Sequence, residues 1–338
     1  MKITQLIKFW VINSRYHALA QSLLPALLAL CLAAGHKDFS LTLALLAVVG
    51  VEMVHMGVNL LDDYFDYSHQ HSSYRDLMAR EGMRARVAKC PYLTTGQATL
   101  GQLLTASFIC WALALAVGLP ILLTRGMPVL WLITLTAFLG ITYSGWPLRL
   151  SYRGLGELEI GAIFGPLLMS GVYYSACGTF SSSLFLISIP VGLLVMNIIY
   201  AHSIMDVEPD KKVGKMTLAV LAKSSSARLI ILALVLILPY VLVTAGVAAK
   251  ILYWPHLLVL FTLPLAVALF KLMVQYVREP SQPIRRHFWM GPMNRWETVK
   301  ANGIEWFMIR WYLARNLLLF FCCSVMAARL ITKILGAN

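Results

Sequence analysis

Charge is scarce in this chain, and negative charge is scarcest. Only 13% of its 338 residues are Asp, Glu, Lys or Arg, and just 15 are acidic, whereas soluble domains carry about 25% charged residues. With 59% hydrophobic residues and a mean hydropathy of +0.74, a soluble globular protein is excluded. Cysteine is sparse too: Cys31, Cys90, Cys110, Cys177, Cys322 and Cys323 show no metal-ligand spacing and read as small packing residues. No phosphate-loop or dinucleotide pattern surrounds Gly154, Gly156, Gly161 and Gly165, so these glycines are expected to let helices approach closely. Low-complexity tracts, a soluble domain and a removable signal peptide are all missing from the pattern.

What the chain has instead is apolar runs. Nine are long enough to cross about 30 Å of hydrocarbon as helices, at about 17–35, 41–61, 102–123, 128–146, 157–177, 184–205, 228–248, 254–276 and 311–331. The pattern predicts an all-α integral membrane protein, a single domain over residues 1–338. Segments 2–15, 75–89, 149–153, 211–228 and 278–300 hold 20 of the 28 basic residues. The positive-inside rule therefore places them, and the N-terminus, on the inner side of the cytoplasmic membrane, with the C-terminus outside. The net charge of +13 is accounted for by topology and attraction to anionic lipid, without a nucleic-acid partner. Lys271, Arg310 and Arg315 are expected to snorkel to the inner interface, and the stretch MNRWETVKANGIEWF in the long 277–310 loop reads as an amphipathic interfacial helix.

Against this apolar background, NLLDDYFDYS at 59–68 puts three aspartates within five positions where the second run ends. Asn59, Asp62, Asp63 and Asp66 are three and four residues apart, so a helix stacks them on neighbouring faces. A second acidic stretch, IMDVEPDKKVGKMTL at 204–218, ends the sixth run at the same expected membrane face, with Asp206, Glu208 and Asp210 followed by Lys211, Lys212 and Lys215. Together the two stretches hold six of the 15 acidic residues. Oxygen-rich clusters of this kind suit Mg²⁺ bound by a few carboxylates plus substrate phosphates, and the lysines with Arg149 or Arg153 suit an anionic phosphate group. A diphosphate bridged to carboxylates by metal is the economical reading. Pro209 predicts a kink or helix end within the second motif.

The literal DDxxD at 62–66 also occurs in soluble isoprenyl diphosphate synthases, a fold that nine apolar runs rule out. Over almost its entire length the chain resembles the UbiA superfamily of intramembrane aromatic prenyltransferases, and within it the 1,4-dihydroxy-2-naphthoate prenyltransferase branch of menaquinone synthesis. The resemblance rests on the helix count, the first acidic motif, DVEPDKKVGKMTLAV (206–220), YSGWPLRLSYRGLGELEIGAIFGPLLMSGVYY (143–174) and, more weakly, SRYHALAQSLLPALL (14–28). It implies a nine-helix bundle around a central cavity open to the cytoplasmic side and laterally to lipid. Asp63, Asp66, Asp206 and Asp210 then match the family's metal-binding carboxylates, Asp62 stands where an Asn is usual, and Asn59 matches an upstream Asn. An acidic residue often found four positions after Asp66 is Gln70 here, with Asp76 nearby in sequence.

The implied chemistry is Mg²⁺-dependent: Asp62, Asp63, Asp66, Asp206 and Asp210 hold metal, and Lys212, Lys215 and Arg153 bind the oxygens of a polyprenyl diphosphate. Tyr143, Trp146 or Tyr64 would face the allylic cation with a ring. Glu52, His55 and Asn59 share one face of the second span and are read either as lining that contacts the aromatic acceptor or as purely structural polar contacts. Asn197 and His202 in the sixth span are read either as a matching wall or as interhelical hydrogen-bonding groups. Two alternatives stand beside this reading: the same enzyme class with 4-hydroxybenzoate, another quinone precursor, a haem or a sugar phosphate as acceptor, and a cation-coupled transporter.

Overall fold

The computed structural model describes residues 3–68, 90–212, 214–280 and 284–336, and among these every regular element is a helix. In chain order these are α1 (Ile3–Asn13), α2 (Ala20–Ala33), α3 (Leu41–Ser68), α4 (Pro91–Thr94), α5 (Leu100–Arg125), α6 (Met127–Thr142), α7 (Gly156–Ala162) and α8 (Leu168–Cys177). They continue with α9 (Ser182–Met205), α10 (Val207–Lys212), α11 (Leu218–Leu221), α12 (Ser225–Ala248), α13 (Leu263–Arg278), α14 (Trp296–Ala301) and α15 (Glu305–Ile334). A π turn over Ile163–Leu167 joins α7 to α8, and a 3₁₀ stretch over Trp254–Thr262 leads into α13. Side-chain oxygens start several helices: Thr99 caps α5 in a reciprocal box with Gln102, and Ser181 and Ser224 cap α9 and α12.

Among the described residues, seven helical segments are long and apolar enough to cross a membrane. The other two expected spans correspond to α2 and α6, of 14 and 16 residues, about 21 and 24 Å at 1.5 Å per residue. Among the described residues these two are shorter apolar helices at the expected positions, and the other seven expected spans are matched by long ones. The chain turns through Arg15 to Ala18 before α2, and leaves the helix at Thr142 after α6. The second span, by contrast, runs on to Ser68, which keeps the whole first acidic motif helical.

The chain divides into two compact units. Unit 1 comprises Met1–Tyr152 and Leu167–Phe180. Within it α3 packs along α5 at Gly57, where a Cβ would collide with the Trp111 indole, and Ser107 Oγ donates to Gly57 O at 2.8 Å. Arg125, at the end of α5, closes the end of α8 by donating to Ser175 O and Ala176 O at 3.0 and 2.6 Å. These contacts fix α3, and with it the carboxylates it carries.

Unit 2 comprises Arg153–Pro166 and Ser181–Asn338. Its core gathers Leu194, Val195, Ile198, Leu313, Leu317 and Phe321, all fully buried. At Gly165 a Cβ would sit 2.5 Å from Ser188 O and 2.6 Å from Gly192 Cα, so the glycines here serve close approach, as expected.

Of the three cations expected to snorkel, Arg310 does not. Arg310 has 0% exposure: Nε donates to Leu272 O at 2.9 Å, Nη1 donates to Trp306 O, and the guanidinium lies 5.0 Å over the Tyr276 ring. Its position in α15, beside Ile309 and Leu313, turns it to the packed side of the helix, where neighbouring carbonyls replace water. Arg315 donates to Pro292 O at 2.6 Å and, with Asn316 and Tyr312, pins the segment 290–294 to α15. Lys271 is exposed. The expected interfacial helix forms only as α14, broken at Gly303 with φ +64° before α15 begins.

Candidate active site

Three carboxylates crowded at one helix end repel one another, so the packed chain must supply compensating donors. Unit 1 does so from four separate segments. Arg15, in the turn before α2, pairs with Asp63 and donates to Asp62 Oδ2 at 2.9 Å. Ser144 Oγ donates to the other oxygen of Asp62 at 2.5 Å, Tyr92 Oη donates to Asp63 Oδ2 at 2.9 Å, and Tyr152 Oη donates to Asp66 Oδ1 at 2.6 Å. The Arg149 guanidinium covers the Tyr152 ring at 4.6 Å. Asp63 and Asp66 are each only 1% exposed.

The electrostatics follow from this burial. Desolvation alone would lower the Arg15 guanidinium, but Asp63 and Asp62 outweigh it and hold the group above its ordinary value. Burial, then the neighbouring Asp63, pushes the Tyr92 hydroxyl well above the usual tyrosine range, which keeps it a donor. Among the described residues Arg15 pairs with Asp62 and Asp63, and the three carboxylates gather hard oxygen donors at one helix end. Such a donor set fits a hard divalent cation. Among the described residues, no group of three or more His, Cys, Asp or Glu side chains already converges as a metal-holding set. The hydroxyls and the guanidinium hold the carboxylates instead.

In unit 2 the second motif breaks where α9 ends: Asp206 is its C-cap and α10 starts at Val207. The helix end expected within this motif is thus present, and Pro209 falls in the first turn of α10, where a missing N–H costs nothing. His202 Nε2 lies 3.0 Å from Asp206 Oδ2, and the Asp210 amide donates to Asp206 O at 2.8 Å. Asp206 and Asp210 are buried, at 3% and 5% exposure. Glu208 faces outward and pairs with Lys211 at 3.0 Å. Glu157 of α7 accepts from the Leu218 amide at 3.1 Å, anchoring the segment that follows the motif.

Other expected site residues are placed as follows. Asn59 Nδ2 donates to Ser14 O at 2.9 Å, which fastens the N-terminal segment beside the motif. Glu52 and His55 are both drawn to Ser22 of α2. Tyr143 follows α6, and its carbonyl accepts from the Ser151 amide. Tyr64 packs on the cluster around Leu60 and Tyr92, whereas Trp146 is 82% exposed and is not drawn into the cluster around the first motif. Arg153 and Lys212 are exposed, and Lys215 is half-buried. Asn197 is fully buried with neither side-chain atom hydrogen-bonded among the described residues, so the expected interhelical bond is not formed there. Gln70 and Asp76 lie outside the described residues. Arg15, Tyr92, Ser144, Tyr152 and Ser22 were not singled out from sequence. Arg15 alone left a signal, as the last cation before the first apolar run.

Comparison with known proteins agrees with this architecture. A family model described as the UbiA prenyltransferase family matches residues 22–297. A 2-carboxy-1,4-naphthoquinone phytyltransferase from Synechocystis is 31% identical over 259 residues, 74% of this chain and 77% of that protein. A 1,4-dihydroxy-2-naphthoate octaprenyltransferase from Bacillus subtilis is 27% identical over 217 residues, 62% of this chain and 64% of that protein. Among solved structures, a UbiA homolog from Aeropyrum pernix superposes with a TM-score of 0.61 at 17% identity, covering 94% of this chain and 98% of that one. A homolog from Archaeoglobus fulgidus, bound to GPP and Mg²⁺, gives 0.57 at 14% identity, covering 94% and 99%. The structural likenesses establish the fold.

Proposed function

The chain belongs to the UbiA prenyltransferase family, and we propose that it transfers a polyprenyl group from polyprenyl diphosphate to an aromatic acceptor, 1,4-dihydroxy-2-naphthoate, in menaquinone biosynthesis. The observation that carries the reading is the convergence of Arg15, Ser144, Tyr92 and Tyr152 on Asp62, Asp63 and Asp66, the last two buried, at the end of an apolar span. A carboxylate cluster in that position suits a substrate presented as a metal diphosphate. The relatives named for naphthoate and naphthoquinone prenylation favour the acceptor. None of the matches supports the transporter alternative.

Asp63 and Asp66, with Asp62, and Asp206 and Asp210 from the second motif, would hold Mg²⁺, which supplies charge stabilisation to the departing diphosphate. The chain's own groups do the rest. Tyr92 and Tyr152 orient Asp63 and Asp66 through their hydroxyls, and His202 orients Asp206. Lys212, Lys215 and Arg153 bind diphosphate oxygens as fixed positive charge, which favours breaking the allylic C–O bond. Tyr143 or Tyr64 offers a ring face to the allylic cation. Acidic motifs and basic loops lie on the cytoplasmic side in this reading, with the N-terminus inside and the C-terminus outside.

The test is prenyl transfer by the purified protein with Mg²⁺ and geranylgeranyl or longer diphosphate, offering dihydroxynaphthoate and 4-hydroxybenzoate in competition. Prenylated, decarboxylated naphthoquinol, lost on chelation and in D66A and D206A, is the expected result. Prenylated hydroxybenzoate alone would overturn the acceptor, and full activity of either variant would overturn the metal residues.

A further inference from the structure

A second polar cluster lies deeper in unit 1, on the same α3 that carries the first acidic motif. Ser22 of α2 stands between Glu52 and His55: its Oγ is 2.9 Å from Glu52 Oε2, 2.7 Å from His55 Nδ1 and 2.9 Å from Leu19 O. Ser22 is fully buried and His55 is 8% exposed. A carboxylate in a membrane span is costly and calls for a reason beyond packing. Glu52 has one more mark of this: its Oε1 is buried without a hydrogen-bond partner among the described residues.

Proton counting orders the cluster. A hydroxyl has one proton to give, and two neighbours of Ser22, the Leu19 carbonyl and an ionised Glu52, only accept. The hydroxyl therefore donates toward them, and its lone pair faces Nδ1. His55 then holds its proton on Nδ1 and presents a lone pair on Nε2. When Glu52 is protonated the two side-chain bonds reverse and Leu19 O gives up the hydroxyl: Glu52 donates to Ser22, Ser22 donates to Nδ1, and the His55 proton moves to Nε2. The two states differ by one proton carried between Nε2 and Glu52, and His55 is neutral in both. Desolvation of the buried ring, which disfavours imidazolium, is thereby avoided.

His55 and Asp62 are seven residues apart on α3, two turns along one face, which is about 10 Å. His55 thus lies on the same helix as the first acidic motif, two turns further into the span.

We propose that Glu52, Ser22 and His55 form a proton relay for the hydroxyl of the aromatic acceptor, an inference that rests on the prenyl-transfer reading. The allylic C1–O bond of the donor breaks with its electron pair on the diphosphate, and the acceptor carbon beside the hydroxyl supplies the pair for the new C–C bond. The hydroxyl proton passes to His55 Nε2, the Nδ1 proton to Ser22 Oγ, and the Ser22 proton to Glu52, leaving a ring ketone. The carboxylate on the prenylated carbon then leaves as CO₂, and its bonding pair returns to the ring as an enolate. Reversal of the relay gives the proton back to that oxygen.

The experiment compares wild type with S22A, H55Q and E52Q, using full-length protein, Mg²⁺, geranylgeranyl diphosphate and 1,4-dihydroxy-2-naphthoate. A ring-fluorinated naphthoate with a more acidic hydroxyl is run in parallel. Each variant is expected to lose about 10²-fold in kcat with the donor KM moving less than about twofold, and to lose markedly less with the fluorinated acceptor. A purely structural role would cost both acceptors equally. Equal losses, or kcat within twofold of wild type in S22A and E52Q, would overturn the relay. E52Q is isosteric and carries the test if S22A fails to fold. Wild type that releases no diphosphate from the donor would instead overturn the prenyl-transfer reading, and the relay with it.

Discussion

Arg15 and Asp63, 48 residues apart in sequence, form an ion pair within unit 1, and the same guanidinium reaches Asp62. Breaking one side of a buried pair strands the other charge. R15A is therefore expected to destabilise the protein by about 3 kcal/mol, the low end for a buried pair, since Arg15 keeps 21% exposure. Because Arg15 and a divalent cation would neutralise the same carboxylates, Mg²⁺ should raise the Tm of R15A more than that of wild type. A thermal melt in detergent across a Mg²⁺ series checks this; parallel responses would separate the guanidinium from the metal.

Tyr92 makes a pH prediction. Burial and Asp63 hold its hydroxyl above the ordinary tyrosine value, so the unfolded chain ionises there first, near pH 10. The Tyr92 contribution is fully present below that pH and is lost as pH rises above it. Wild type should lose stability on going from pH 9 to 11, and Y92F should lose less. Tm against pH for the two proteins, each relative to its own pH 8 value, is the measurement; superimposable curves would show that Tyr92 contributes no linkage.

Asp206 and Glu208 test the second motif from inside and outside. The Glu208 side chain is 70% exposed in its pair with Lys211, so E208A should change stability by less than about 0.5 kcal/mol and leave transfer within about twofold of wild type. D206A should abolish transfer with the protein still extractable and folded. A large loss in E208A would place Glu208 among the substrate groups.

Arg310 is a buried cation with carbonyl and ring partners and an Nη2 that has no hydrogen-bond partner among the described residues. Replacing a buried ionic group by an apolar one of similar volume is often neutral or stabilising, whereas truncation leaves a cavity. R310M should match or exceed wild-type Tm, and R310A should fall by about 2–4 kcal/mol. Calorimetry of both variants decides it; an R310M as weak as R310A would show that the guanidinium itself holds the surrounding helices.

Sequence reasoning reached some of these features and missed others for physical reasons. Hydropathy is a local property, so the apolar runs and the aspartates ending two of them were legible from Leu41 to Asp66 and from Leu184 to Asp210. Where a run stops being helical depends on turns and packing, which is why α2 and α6 came out short, whereas Pro209 in the second motif already signalled a break there. Snorkelling failed at Arg310 for a similar reason: charge on a span predicts a route to water only where the side chain faces lipid or an interface. Its side of the helix was decided by the packing of α15.

By itself, then, the sequence determined a membrane-embedded helical chain with two acidic motifs, because composition and spacing are enough to fix partition into lipid and the stacking of residues three and four apart. Only the tertiary structure decided which groups compensate those carboxylates. Arg15, Tyr92, Ser144 and Tyr152 lie 48, 29, 82 and 86 residues from the aspartates they meet. Long-range convergence of that kind leaves no periodic trace in the chain, because it arises from helix packing rather than from the spacing of any one helix.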